Sequence, residues 1–182
     1  MELFNEIFEN KFLLVLLTEQ QYEKRLSEMI KNLEKDHKTI CYICLSRPYK
    51  EIASSLQSAG FSLDKFFFID VLTSHYKKPA NIDNCIFLQD PSGLAALQYA
   101  IAKAVSEKHC SVIIFDTISS LLMYEQTHDI VRFTHQLTIE ETYKDTNKVF
   151  VILKESSSLA EYYETLVKDM EMFSDKKIDI AD

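Results

Sequence analysis

A chain of 182 residues, 47% of them hydrophobic, is long enough for one globular domain with a sizeable core and too short for two, so residues 1–182 read as a single domain. Twenty-eight acidic residues against 20 basic ones give a net charge of −8, which excludes unaided binding to a nucleic-acid backbone, since that binding draws on clustered Lys and Arg. Only two glycines, Gly60 and Gly93, against an average usage of about 7%, exclude the glycine-rich turns whose bare N–H groups cradle phosphates.

Residues 1–10 carry three glutamates and no basic side chain, unlike a secretory signal, and the longest aliphatic or aromatic run, 12–17, is far too short to span a membrane. Leu3, Phe4, Ile7 and Phe8 fall on one side of a helix, an amphipathic segment expected either to dock on a protein partner or a second copy or to pack against the chain's own sheet or last helix. Residues 12–17 read as a buried strand, followed by a helix over 19–35 with Tyr22, Leu26, Met29, Ile30 and Leu33 inward. A second strand covers 39–45. Pro48 opens a helix that buries Tyr49, Ile52, Ala53, Leu56 and Ala59 and ends at Gly60. Strands at 66–72 and 85–88 flank a polar loop, 73–84.

Asp90, Pro91 and Ser92 form a helix start, with Leu94, Leu97, Ile101 and Val105 on the buried face. The run 111–115 is the most strand-like of all and ends in Asp116. A helix over 128–143 buries Ile130, Phe133 and Leu137, and 149–153 is the last strand. One of Ser156, Ser157 and Ser158 caps a final helix whose stripe is Leu159, Tyr162, Tyr163, Leu166, Val167, Met170 and Phe173. Residues 155–182 hold eight acids against three bases, and 174–182 reads as an acidic tail.

Apolar strands alternating with amphipathic helices predict an α/β fold in three layers, with a mostly parallel sheet of about five or six strands covered on both faces. Ligands in such sheets bind at the carboxyl ends of the strands. Candidate site residues are therefore Thr18, Glu19, Ser46, Arg47, Tyr49, Asp116, Thr117 and Lys154. Arg47, Thr18 and Lys154 suit an anion pocket, unless Arg47 pairs with Asp70, Asp90 or Asp116. Asp116, with Thr117 and Ser119, alternatively caps the segment after its strand. Cys41 and Cys44 form C-x-x-C on a strand, where an offset of three residues sends the side chains to opposite faces. They cannot share a metal, and the four cysteines read as reduced core thiols of a cytoplasmic protein. The five histidines have no helical i,i+4 pair, so no metal site is expected.

The segments 39–49 (TICYICLSRPY), 66–72 (FFFIDVL) and 111–122 (SVIIFDTISSLL), in this order and spacing, resemble KaiC-like ATPases of the RecA superfamily, in particular their degenerate, mostly archaeal members. The resemblance implies a RecA-like P-loop NTPase fold, with Asp116 at the end of the Walker B strand. It also implies a loss of activity. Active relatives follow their first strand with a glycine-rich loop ending in Lys-Thr or Lys-Ser. Here Leu17 leads at once to Thr18, Glu19, Gln20, Gln21 and Tyr22, with Glu19 set to satisfy the helix dipole in place of a phosphate. Where relatives end the second strand in acids that activate water, this chain has Leu45, Ser46, Arg47 and Pro48, and a guanidinium cannot act as a base.

The expected function is accordingly that of an inactive RecA-like module without cofactor. It is expected to work through protein contacts, in regulation or signal transduction, by self-association or by pairing with an active relative. The alternatives are a sensor of a small ligand at the former nucleotide position and, behind it, a residual ATPase. No nucleic acid or membrane is an expected partner.

Overall fold

Strand β1 (Phe12–Leu17) is apolar at every position because both of its faces are covered: Phe12, Leu14 and Leu16 point into one core, and Leu13, Val15 and Leu17 into another. The same division runs through β2 (Ile40–Cys44), β3 (Phe66–Asp70), β4 (Cys85–Phe87), β5 (Val112–Asp116) and β6 (Asn147–Leu153). A computed structural model describes residues 9–35, 39–90, 93–154 and 159–180. Its single sheet has seven strands, all paired in parallel, in the order β4-β3-β2-β5-β6-β1-β7, where β7 is Lys176–Asp179.

Helices α1 (Glu19–Lys35) and α2 (Tyr49–Ser58) cover one face through Leu26, Met29, Ile30, Leu33, Ile52 and Leu56. The opposite face packs against α4 (Leu94–Glu107), α5 (Thr127–Ile139) and α6 (Ala160–Glu171). Each fully buried Leu, Ile or Phe on these stripes contributes about 1.5–3 kcal/mol. Cys41 belongs to one core and Cys44 to the other, as the strand period requires. All four cysteines are buried and unbridged.

Local chemistry accounts for the element ends. Gly60 closes α2 with φ +88°, where an L side chain would be strained. Its N–H donates to Gln57 O and the Phe61 N–H to Leu56 O, both at 3.0 Å, which is a Schellman closure with Phe61 folded back into the core. Ala59 is exposed, outside the stripe expected for it, because the chain has already begun this turn. Tyr162 is exposed too, at 56%, while Tyr163, Leu166 and Met170 carry the buried face of α6.

Other differences from the sequence reading are equally local. The loop 73–84 contains a four-residue helix, α3 (Thr73–Tyr76). The helix expected to reach 143 stops at Ile139 and resumes as a 3-10 turn, Glu141–Tyr143, which seats the Tyr143 ring in the core. Gly93 occupies the capping position of α4 with no side-chain cap. Pro91, Ser92, Glu155, Ser156, Ser157 and Ser158 lie outside the described residues, as do Leu3, Phe4, Ile7 and Phe8.

The largest difference is a seventh strand, β7 (Lys176–Asp179), in the stretch that reads as an acidic tail. It pairs with β1, and only Ile178 among its residues is buried. A short, charged edge strand of this kind resists further pairing. Asp175 anchors it by accepting the Lys11 and Phe12 N–H groups, each at 2.8 Å.

At the amino edge, Lys148 on β6 is 1% exposed, with its Nζ donating to Tyr143 O at 2.6 Å. Burial, reinforced by Lys11, pulls its pKa down to about 8, against an ordinary value of about 10.4. Below pH 8 the amine is charged in both folded and unfolded chains, and the native state carries the cost of burying it. Between pH 8 and 10.4 only the native state releases the proton, so the contribution to stability rises with pH. Urea unfolding is expected to show wild type gaining about 3 kcal/mol on Lys148→Met between pH 7 and pH 10.5. A gap that stays constant with pH would contradict this.

Candidate functional site

After β2 the chain moves to β3 on one side, and after β5 it moves to β6 on the other. The β2–β5 boundary is thus the topological switch point, the position at which open α/β sheets offer a crevice to ligands. Here backbone bonds carry the pairing past the strand ends, and a hollow of about 390 Å³ lies beside them, lined by Leu45, Ser46, Ser120 and Tyr124. The Leu45 and Ser46 N–H groups donate to Asp116 O at 3.0 and 3.1 Å, and the Ser46 hydroxyl donates to the same oxygen at 3.2 Å.

The parallel register sets Asp70, Cys44 and Asp116 side by side at the carboxyl ends of β3, β2 and β5. Both acids are fully buried. Asp116 accepts short hydrogen bonds on both carboxylate oxygens, Oδ1 from the Tyr22 hydroxyl and Oδ2 from the Tyr42 hydroxyl. Tyr22 comes from the first turns of α1 and Tyr42 from the middle of β2, two residues before Cys44 and on its face of the sheet. Arg47 completes the cluster: Nη2 donates to the Tyr22 hydroxyl at 3.2 Å, Nη1 donates to Glu23 Oε1 at 2.6 Å, and the guanidinium lies 5.3 Å from the Tyr22 ring centre.

Burial raises the pKa of Asp116, while the two tyrosine hydroxyls and Arg47 pull it back. Burial and the adjacent Asp116 carboxylate push Tyr22 and Tyr42 far up, so both hydroxyls remain donors. Burial works against the charge on Arg47, but Tyr22, Asp116 and Glu23 hold it protonated more firmly than usual. Burial likewise pushes the Cys44 thiol up, with Asp70 adding to the effect, which leaves that sulfur inert. Every group in the cluster is fixed in the protonation state that its partners require. Such an arrangement ties α1, β2 and β5 together through one carboxylate.

Asp70 has a different role. Its Oδ2 accepts the Tyr49 N–H and the Thr73 hydroxyl, both at 2.6 Å. Its Oδ1 accepts the Leu72 and Thr73 N–H groups at 2.7 and 2.8 Å. Pro48, at the capping position of α2, makes no side-chain cap bond, so a carboxylate from the neighbouring strand caps that helix instead.

The predicted site residues separate. Ser46, Arg47 and Asp116 meet at the switch point. Arg47 pairs with Glu23 on α1 and not with Asp70, Asp90 or Asp116, because its side chain follows the Tyr22 ring toward α1. Asp116 does not cap the segment after it, where the side-chain bonds run among Thr117, Ser119 and Ser120. Lys154 turns to β7, pairing with Asp179 at 2.5 Å and donating to Ile180 O at 3.2 Å. The anion pocket of Thr18, Arg47 and Lys154 therefore does not form, since two strands, β5 and β6, stand between β1 and β2.

Thr18 is the single residue between β1 and α1, and its hydroxyl is buried without a partner. Glu19 begins α1 and is exposed. The Tyr49 ring packs edge-on against Phe68 and Phe87, away from Asp116. Tyr22 and Tyr42 are the members that the sequence reading missed as polar groups. A usable signal existed, because a buried tyrosine needs an acceptor and Asp116 is the acid within reach of both. Among the described residues, no group of three or more His, Cys, Asp or Glu side chains is placed to hold a metal, and no helix is long and apolar enough to cross a membrane.

The sequence matches no known family profile and no curated protein. In three dimensions the chain is similar to a KaiC-like protein from the hyperthermophilic archaeon Pyrococcus horikoshii OT3, with a TM-score of 0.65 over 98% of this chain and 79% of that one, at 14% identity. The likeness establishes the fold: a KaiC-like, RecA-type α/β domain built on a seven-stranded parallel sheet.

Proposed function

We propose that this chain is a catalytically inactive domain of KaiC-like architecture that acts through contacts, as a regulatory or interaction module that self-associates or pairs with an active relative. The observation that carries this reading is the state of Asp116: the acid at the Walker B position is buried, with both oxygens engaged by tyrosines. The one-residue junction between β1 and α1, where active relatives place a phosphate loop, supports it. The apolar quartet Leu3, Phe4, Ile7 and Phe8 is the part of the sequence to which the contact is assigned.

With millimolar Mg-ATP the protein is expected to show no turnover and no rise in melting temperature, since a ligand at 100 times its Kd would add about 2.7 kcal/mol of stability. Light scattering of the full chain is expected to give a mass above the 21.2 kDa of one copy, or to do so once an active relative is added. Turnover that disappears in Asp116→Asn would overturn the inactive reading.

A second reading, a small-ligand sensor, is favoured by one feature. A cleft of about 300 Å³ between α1 and α2 is lined by Tyr42 and Arg47, two members of the Asp116 cluster, so an occupant there would touch groups that tie β2 to β5. A thermal-shift screen with metabolites on wild type and on Ser55→Trp, a substitution in the wall of that cleft, separates the readings, because only the sensor gains a stabilisation that the substitution abolishes.

A further inference from the structure

Beyond the Asp116 cluster, the carboxyl edge has a second hollow, of about 420 Å³, enclosed by the start of α2, by α3 and by the segment leading into β4. Its size falls in the range of about 300–1,000 Å³ typical of small-molecule sites. Tyr49, Ile82 and Phe87 supply an apolar lining. Tyr49 and Phe87 meet edge to face, with ring centres 6.0 Å apart at 85°, so the lining offers flat aromatic surface to a flat ligand. Tyr76, 77% exposed, stands at the mouth as a further ring, edge-on to His75 with ring centres 5.3 Å apart.

The rim adds a charge preference. Lys50 and Lys77 border the hollow and are exposed, and neither side chain has an ion-pair partner among the described residues. The first turn of α2 forms part of the same wall, but the buried Asp70 carboxylate caps it through the Tyr49 N–H, so the preference rests on the two lysines. One acid, Glu51, lies on the wall shared with a neighbouring cavity. At the solvent-facing rim two exposed lysines stand against Glu51, while Asp70 lies buried beneath with its oxygens taken up by Tyr49, Leu72 and Thr73.

We propose that this hollow is a binding site for a small aromatic carboxylate, its ring against Tyr49, Phe87 and Tyr76 and its acid group between Lys50 and Lys77. The site is separate from Asp116 and stands whether or not the chain hydrolyses ATP. No group within it is arranged for bond making, so its role is recognition. Because the hollow joins the start of α2 to α3, an occupant would brace the two elements that Asp70 links from below.

The protein contains nine tyrosines and no tryptophan, so an added indole excited at the red edge of its band, beyond tyrosine absorption, can be followed without protein background. Indole-3-acetate, indole and tryptamine share one ring system and differ in charge. On titration with the full chain, the anisotropy of indole-3-acetate is expected to rise and saturate, with indole bound about tenfold more weakly and tryptamine more weakly still, as two exposed charge contacts allow. Lys50→Gln with Lys77→Gln is expected to bring indole-3-acetate down to the level of indole. Ala80→Phe, a substitution at an exposed position of the wall, is expected to abolish binding of both, with circular dichroism confirming the fold of each variant. The proposal is overturned by a failure of indole-3-acetate to saturate, by equal binding of acetate and amine, or by binding that survives both sets of substitutions.

Discussion

Replacing Asp116 with alanine is expected to lower the unfolding free energy by about 3–5 kcal/mol. The substitution strands two tyrosine hydroxyls that have no other acceptor and removes the partner that Arg47 reaches through Tyr22. Asp116→Asn, which keeps the shape and one good acceptor, is expected to cost less than half as much. Tyr42→Phe and Tyr22→Phe each leave the carboxylate with a single donor, and their double mutant should fall short of the summed single effects because the three residues act as one network. The pH dependence has a definite sign. Burial raises Asp116 above its ordinary range, so the native state holds this proton to higher pH than the unfolded chain does. Its contribution to stability therefore falls as pH rises through the raised value, and Asp116→Asn removes that slope. Chemical denaturation of the set between pH 3 and pH 8 provides the check. An alanine variant as stable as wild type would mean that the carboxylate has no structural task and is held in reserve for chemistry.

The size of that effect bears on function. A carboxylate kept for metal or water is commonly poorly satisfied in the empty protein, and its removal then costs little or even stabilises. Asp116 is expected to behave in the opposite way, as a structural group occupying the position of a catalytic one.

The layers of the fold were legible in the sequence because strand and helix periods differ and nearly every strand is apolar on both faces. Asp116 was legible as the end of the strongest strand. The partners of the acid were less accessible. Tyr22 counts toward the apolar stripe of α1, and a hydropathy pattern does not register that the same ring delivers a hydroxyl to an acid 94 residues away. Arg47 illustrates the converse difficulty. Its neighbours in the chain predict an ion pair, but the choice of Glu23 over three other acids depends on how α1 leans across β2, which only the packing of Leu26 and Ile30 fixes. The strand β7 escaped because a four-residue edge strand with one buried side chain carries almost no periodic signal.

Asp70→Ala is expected to be comparably severe, about 3–5 kcal/mol, for a reason of a different kind. Four donors converge on this carboxylate, three of them backbone N–H groups, and each one left buried without an acceptor costs about 1–3 kcal/mol before water and local relaxation recover part of it. The loss should also be localised. Amide exchange is expected to accelerate at Tyr49, Leu72 and Thr73 by more than at β1 or β6, because those three amides lose their acceptor while the centre of the sheet keeps every bond. Thr73→Val, which removes one donor and keeps the volume, is expected to cost about 1 kcal/mol and to leave the Tyr49 amide protected. Uniform acceleration across the sheet would show instead that Asp70 acts on global stability alone. A confined response would identify the start of α2 and α3 as a unit hinged on one carboxylate, which is the property required of an edge whose neighbouring hollow is to sense an occupant.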